Sequence, residues 1–339
     1  MVDGASDIKK SLFKPSVELG TGKIKGYDFG EGFDAEKFFN SYNDIGFQAS
    51  KLGKAISLIR KMRAEGATIF FGFTSNVTSS GLRDMITYLV KNKLVHFLVT
   101  TTGGLEEDIL KTHGDFLHGA FEAEGAYLRQ LGINRTGDIF VPNERYVWFY
   151  ETFMKDVLCT LYAKQKETGK IVDTVEFVRQ MGRTLEGFDR HEESFAYWAN
   201  KNDIPLICIP LSDGAIGDNI YLFKKDNPDF DVSLAAEMDL LYERVMAANK
   251  AGAVIIGGSV PKHHIMMAMM LREGADYTVY INTGVEQDGS NGGASTDEAM
   301  SWGKVAPNDD NVKVWGDATI IFPILIAAAF RGGSGAARP

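Results

Sequence analysis

The chain has 339 residues, of which 45% are apolar and 24% charged, an ordinary globular composition for one large domain or two smaller ones. Its 36 Lys plus Arg against 45 Asp plus Glu leave a net charge of −9, which argues against a nucleic-acid binder, because phosphate affinity needs a basic surface. Only Cys159 and Cys208 are present, so there is no disulfide framework and a reducing compartment is expected.

Residues 1–40 read as a Gly-rich, extended N-terminal arm without an apolar signal core. Within it, Gly20-Thr21-Gly22 with Gly26 follows no strand and is rejected as a phosphate loop. Strands are predicted at Thr68–Phe73, Val95–Thr101, Asp138–Val141, Ile204–Ile209, Ala253–Ile256, Tyr277–Ile281 and Val312–Trp315. Most are unbroken apolar runs, the pattern of parallel strands buried on both faces. Helical spacing appears over 81–94, with Leu82, Met85, Ile86, Leu89 and Val90 on one face, and over 232–249. A third helix is expected from Pro261 to Gly274. Strands alternating with helices predict an α/β fold, a doubly wound and mostly parallel sheet with helices on both faces, as one domain over 41–331. The run Ile320 to Phe330 is too short to span a bilayer, and residues 332–339 read as a disordered tail. A cytoplasmic protein without membrane contact is expected.

Small and polar residues follow six of these strands: Thr74-Ser75-Asn76, Thr100 to Gly104, Ser212 to Asp218, Gly257-Gly258-Ser259, Asn282-Thr283-Gly284 and Gly316-Asp317. Turns favour such residues for their own reasons, but the carboxyl edge of an open α/β sheet is also its ligand edge. In Thr101 to Asp108 the glycines permit close backbone approach, and the following helix offers its N-terminal amides to a diphosphate. Glu106, Glu107 and Asp108 read either as helix-start carboxylates or as site groups, with at most two facing one site. The six histidines lack metal spacing, so no metal is expected. A helix from about Thr296 places Glu298 and Trp302 on one side, ends at Gly303, and leaves Lys304 just beyond it.

Six segments, TSNVTSSG (74–81), VTTTGGLEED (99–108), SDGAIGD (212–218), KHHI (262–265), GADYTVYINT (274–283) and DEAMSWGK (297–304), together resemble the deoxyhypusine synthase family. The resemblance runs from about Gly26 through Phe330. It implies a Rossmann-like fold that binds NAD, and a homotetramer, a dimer of dimers, with active sites shared between paired subunits. It implies transfer of the aminobutyl group of spermidine to one lysine of the translation initiation factor 5A precursor, through a lysine Schiff base, with release of 1,3-diaminopropane. The family's NAD contacts fall on Ser75, Asn76, Val77, Thr78, Ser79, Thr101, Thr102, Gly103, Asp213, Gly258, Thr283, Asp317 and Ala318. Its polyamine contacts fall on Glu106, Glu107, Asp218, His263, Gly289, Ser290, Asn291, Glu298, Trp302 and Lys304. Lys304 is the implied nucleophile, His263 and Glu107 are candidates for proton handling, and Asp218 and Glu298 for holding ammonium groups.

The chain departs from the family's Gly-Ser-Asp at Gly289-Ser290-Asn291. A charged hydrogen-bond partner contributes about 1.5–3 kcal/mol and a neutral one about 1. Weaker spermidine binding or a different preferred amine is therefore expected, unless Asp288 or another carboxylate compensates. The alternatives are homospermidine synthase with putrescine as acceptor, a weakly active regulatory paralogue, and a general NAD-dependent amine dehydrogenase.

Overall fold

The computed structural model describes residues 8–10 and 12–331; the tail expected at 332–339 lies outside the described residues. Six strands form the central sheet: β1 Thr68–Phe73, β2 Phe97–Thr100, β3 Leu206–Cys208, β4 Ala251–Ile256, β5 Tyr277–Asn282 and β6 Asn311–Trp315. All five pairings are parallel, in the spatial order β6-β5-β4-β1-β2-β3. The chain builds outward from β1 through β2 to β3, then returns to the other side of β1 with β4. That reversal is the topological switch point, where a crevice opens at the carboxyl ends of the strands.

The unbroken apolar runs have the expected cause. Phe71, Phe73, Val254, Ile256, Val279 and Ile281 pack on one face of the sheet. Phe70, Phe97, Val99, Ala253, Ile255 and Tyr280 pack on the other. Successive side chains point to opposite faces, so a sheet covered twice needs every position apolar. Phe47–Ala64, Leu82–Lys91 and Phe195–Lys201 cover the first face, and Ala236–Ala247 with Ser259–Met269 the second. Cys208 is a buried thiol within β3.

Three expectations need correction. The strand expected at Asp138–Val141 is Ile139–Pro142, and it is not in the parallel sheet. It pairs antiparallel with Ile133–Thr136 and Leu117–His118 in a small sheet inside the β2–β3 connection. Gly137, at φ +61°, with Asp138 makes the two-residue turn of a hairpin. The segment read as an extended arm carries a 3-10 turn at Phe29–Glu31 and then the helix Ala35–Ile45, which the Asp34 carboxylate caps by accepting from the Lys37 amide at 2.8 Å. The helix expected from Pro261 starts earlier, at Ser259, and ends at Met269 before a short 3-10 turn and Gly274. Gly20 to Gly26 are without regular structure.

Candidate active site

Every strand-end cluster lies on one edge of the sheet. The Ser75–Ser79 turn of helix follows β1, Thr101 precedes the helix Thr102–His113 after β2, and Asp213 precedes the helix Gly214–Asp226 after β3. Gly258, Thr283, Asp317 and Ala318 follow β4, β5 and β6. A cleft of about 340 Å³ opens across the switch point, and Asn76, Val77, Gly258, Thr283, Asp317 and Ala318 line it. Gly258 is pressed against this edge: a Cβ there would lie 2.6 Å from the Gly292 Cα, so only glycine fits. The Thr78, Thr100 and Thr101 hydroxyls are buried without a partner.

Two of the remaining cofactor candidates are bonded within the protein. The Thr102 hydroxyl donates to the Pro210 carbonyl and the Ser79 hydroxyl to Glu107 Oε2. At Gly104, a Cβ would meet Thr100 Oγ1 at 2.2 Å, so this glycine serves helix-on-strand packing rather than a ligand.

The polyamine candidates fall into two clusters. The first is acidic. Glu106 and Glu107 are 4% and 9% exposed. Glu106 Oε1 accepts from the Ile216 amide at 2.6 Å, at the start of the helix that carries Asp218. Burial pushes both carboxyls up to about 7; the Ile216 amide opposes this at Glu106, and the Ser79 hydroxyl and Lys111 at Glu107. Asp218 is exposed and accepts from the Tyr150 hydroxyl at 3.0 Å. Tyr146 lies close enough to feel both glutamate charges, and burial raises its hydroxyl. Asp108, by contrast, is structural. It pairs with Arg83 Nε at 2.8 Å and accepts from the Ser194 hydroxyl and the Phe195 and Ala196 amides.

The second cluster surrounds Lys304. The helix Thr296–Ser301 is capped by Ser295, whose hydroxyl accepts from the Glu298 amide at 3.2 Å. Trp302 ends it, and Gly303 turns the chain at φ +69°. The half-buried Lys304 Nζ then sits 5.3 Å from the centre of the exposed Trp302 ring, a cation–π distance. His263, on the helix Ser259–Met269, has its imidazole pKa lowered by burial and by the Lys304 charge. The intervening turn is fastened from below. Lys262, 2% exposed, donates to the Asn291 carbonyl at 2.6 Å and the Ala294 carbonyl at 2.9 Å, with its Nζ 4.4 Å from the Tyr280 ring centre. Asn291 Nδ2 donates to the Ser259 carbonyl at 3.2 Å. Asp288 Oδ1 accepts from the Ser290 amide at 2.7 Å, so its carboxylate braces the turn.

The turn joins this cluster to the cleft, since Ser290, Gly292 and Gly293 line the cleft wall. Among the described residues, no hydrogen bond or ion pair joins the acidic cluster to Lys304. Lys111, Tyr146 and Tyr150 lie outside the motifs of the sequence, and Lys262 enters only as part of KHHI, without a role. Lys262 adjoins His263 and Lys111 lies one helical turn beyond Glu107, which are usable signals; the tyrosines carry none.

The deoxyhypusine synthase family model matches residues 37–329, spanning both clusters and the cleft. The chain belongs to the deoxyhypusine synthase family. It is 42% identical over 326 residues to a probable deoxyhypusine synthase of Methanocaldococcus jannaschii, covering 93% of this chain and 98% of that one. It is 40% identical over 352 residues to the deoxyhypusine synthase of Senecio vernalis, covering 96% and 94%. A crystal structure from Entamoeba histolytica, provisionally assigned as a deoxyhypusine synthase, superposes with a TM-score of 0.60 at 29% identity, covering 91% of this chain and 96% of that one. Deoxyhypusine synthases are transferases. No helix among the described residues is long and apolar enough to cross a membrane.

Proposed function

We propose that this chain transfers the aminobutyl group of spermidine to a lysine of the translation initiation factor 5A precursor, in the cytoplasm, with NAD in the switch-point cleft. The observation that carries the reading is the turn from Gly289 to Ala294. It walls the cleft at Ser290 and Gly292 and leads within ten residues to Lys304.

The cleft residues fit a dinucleotide. They offer a glycine edge at Gly257-Gly258, the Gly284 and Gly316 backbone, and the Asp317 carboxylate for a ribose hydroxyl. When bound, NAD supplies hydride acceptance and return. The chain's own residues do the rest. The Lys304 amine adds to the oxidised butylamine fragment as 1,3-diaminopropane leaves, holds it as a Schiff base, and yields it to the acceptor lysine. Glu107, held up to about 7 by burial, and His263, whose lowered proton affinity keeps its imidazole neutral and able to accept, are the groups that move ammonium protons. Asp218 and Glu298 hold the terminal ammoniums, and Trp302 covers the alkyl chain.

The separation of the acidic cluster from Lys304 supports a site completed by two subunits, within a homotetramer built as a dimer of dimers. Val260 and Met267 are exposed on the helix of His263, Leu271 just after it, Trp302 beside Lys304, and Tyr221 and Leu222 on the helix of Asp218. Burying such side chains favours association.

The test is incubation with NAD, labelled spermidine and the acceptor protein, with Lys304→Arg as control. Label should pass to the acceptor lysine only with the native chain. A second reading, putrescine as acceptor, is favoured by the uncharged Asn291. Label passing to putrescine in preference to the protein would establish it.

A further inference from the structure

The Ser75–Ser79 turn of helix is too short to hold its own carbonyl end. The last carbonyls of any helix lack internal partners, and here one side chain takes three of them. Lys111 Nζ donates to the carbonyls of Thr78, Ser79 and Ser80 at 2.7, 2.8 and 2.9 Å. Lys111 sits on Thr102–His113, one turn beyond Glu107, and Ser79 also gives its hydroxyl to Glu107. Lys111 therefore grips the end of the segment whose Asn76 and Val77 line the cleft, and with it Ser79, the residue that positions the Glu107 carboxyl.

We propose that Lys111 is a positioning residue that clamps the Ser75–Ser80 segment to the Glu107 helix, fixing the cofactor-side backbone and the Ser79 hydroxyl together. This rests on the assignment of that segment to NAD and of Glu107 to proton handling. The charged groups near Lys111 are Arg83 and Asp84 from Leu82–Lys91 and Glu107 and Asp108 from its own helix. Glu107 faces Ser79 and Lys111, with Glu106 beside it and Tyr146 across from it. Lys111 is the cation among these that holds the Glu107 carboxyl down, so its removal raises the pH at which Glu107 ionises.

The test uses the full-length chain, with NAD affinity measured by calorimetry and the pH profile of amine-dependent adduct formation at Lys304. Lys111→Met should weaken NAD binding by about tenfold, the loss of one strong charged contact, and shift the acidic limb to higher pH. Lys111→Gln keeps donors for the carbonyls without the charge. It should hold NAD affinity within about threefold yet shift the limb as Met does. Lys111→Arg should restore both. Unchanged NAD affinity and an unmoved limb in Lys111→Met would overturn the inference. If that variant fails to fold, an unmoved limb in Lys111→Gln does so instead. Failure of the native chain to bind NAD would overturn the cofactor reading and this inference with it; native binding beside an unaltered Lys111→Met overturns this inference alone.

Discussion

The Tyr150 hydroxyl donates to Asp218 Oδ2 at 3.0 Å, across 68 residues of chain. The contact fixes one carboxylate oxygen and leaves the exposed carboxylate pre-oriented for an ammonium. Tyr150→Phe should raise the spermidine KM about three- to tenfold, for the loss of about 1 kcal/mol of positioning, with kcat nearly unchanged. Asp218→Asn should cost more. Steady-state kinetics over a spermidine series check this, and a fall in kcat at constant KM would contradict it.

Glu106 and Glu107 make stability depend on pH in a definite direction. Unfolded carboxyls ionise near about 4.3, whereas burial holds these two up to about 7. Between those values the folded state keeps protons that the unfolded state has released, so stability falls as pH rises. The loss is at most about 4 kcal/mol per carboxyl. Urea unfolding at pH 5 and pH 8 should show the decline, and Glu106→Gln with Glu107→Gln should flatten it. Spermidine should reverse it at pH 8, since bound ammoniums favour the ionised carboxylates. An equal decline in the double variant would contradict the assignment.

Lys262 holds the turn that connects the cleft to Lys304. Lys262→Met leaves the Asn291 and Ala294 carbonyls without their donor, at about 1–3 kcal/mol for each group left buried. Urea unfolding should show a loss of at least about 2 kcal/mol, and adduct formation at Lys304 should drop. A variant with native stability and full adduct formation would show that the turn holds itself.

Asn291 donates through Nδ2 to the Ser259 carbonyl, a bond an aspartate cannot make, and Asp288 is bound to the Ser290 amide. Asn291→Asp should tighten spermidine binding about fivefold, the difference between a charged and a neutral partner. It should also cost about 1 kcal/mol of stability through the lost clip. Spermidine titration beside thermal unfolding measures both; unchanged affinity would remove Asn291 from the amine site.

The sheet was legible because parallel strands buried on both faces leave uninterrupted apolar runs, as in TIFFGF at β1. Strand order was not, since nothing local in β4 says that it pairs with β1 rather than β3. Ile139–Pro142 misled because a four-residue apolar run looks the same in a small antiparallel sheet. At the site, Glu106, Glu107, His263 and Lys304 stood out within contiguous motifs. Tyr150 and Lys111 did not, because their significance lies in contacts 68 and about 32 residues away.

In the proposed reaction Lys304 carries the butylamine fragment between donor and recipient. Incubation with NAD and labelled spermidine, borohydride reduction and peptide mass spectrometry test it directly. A reduced butylamine adduct on the Lys304 peptide, absent from Lys304→Arg, is the predicted result. Label transfer to the acceptor with no adduct at Lys304, or with the adduct on another lysine, would contradict it.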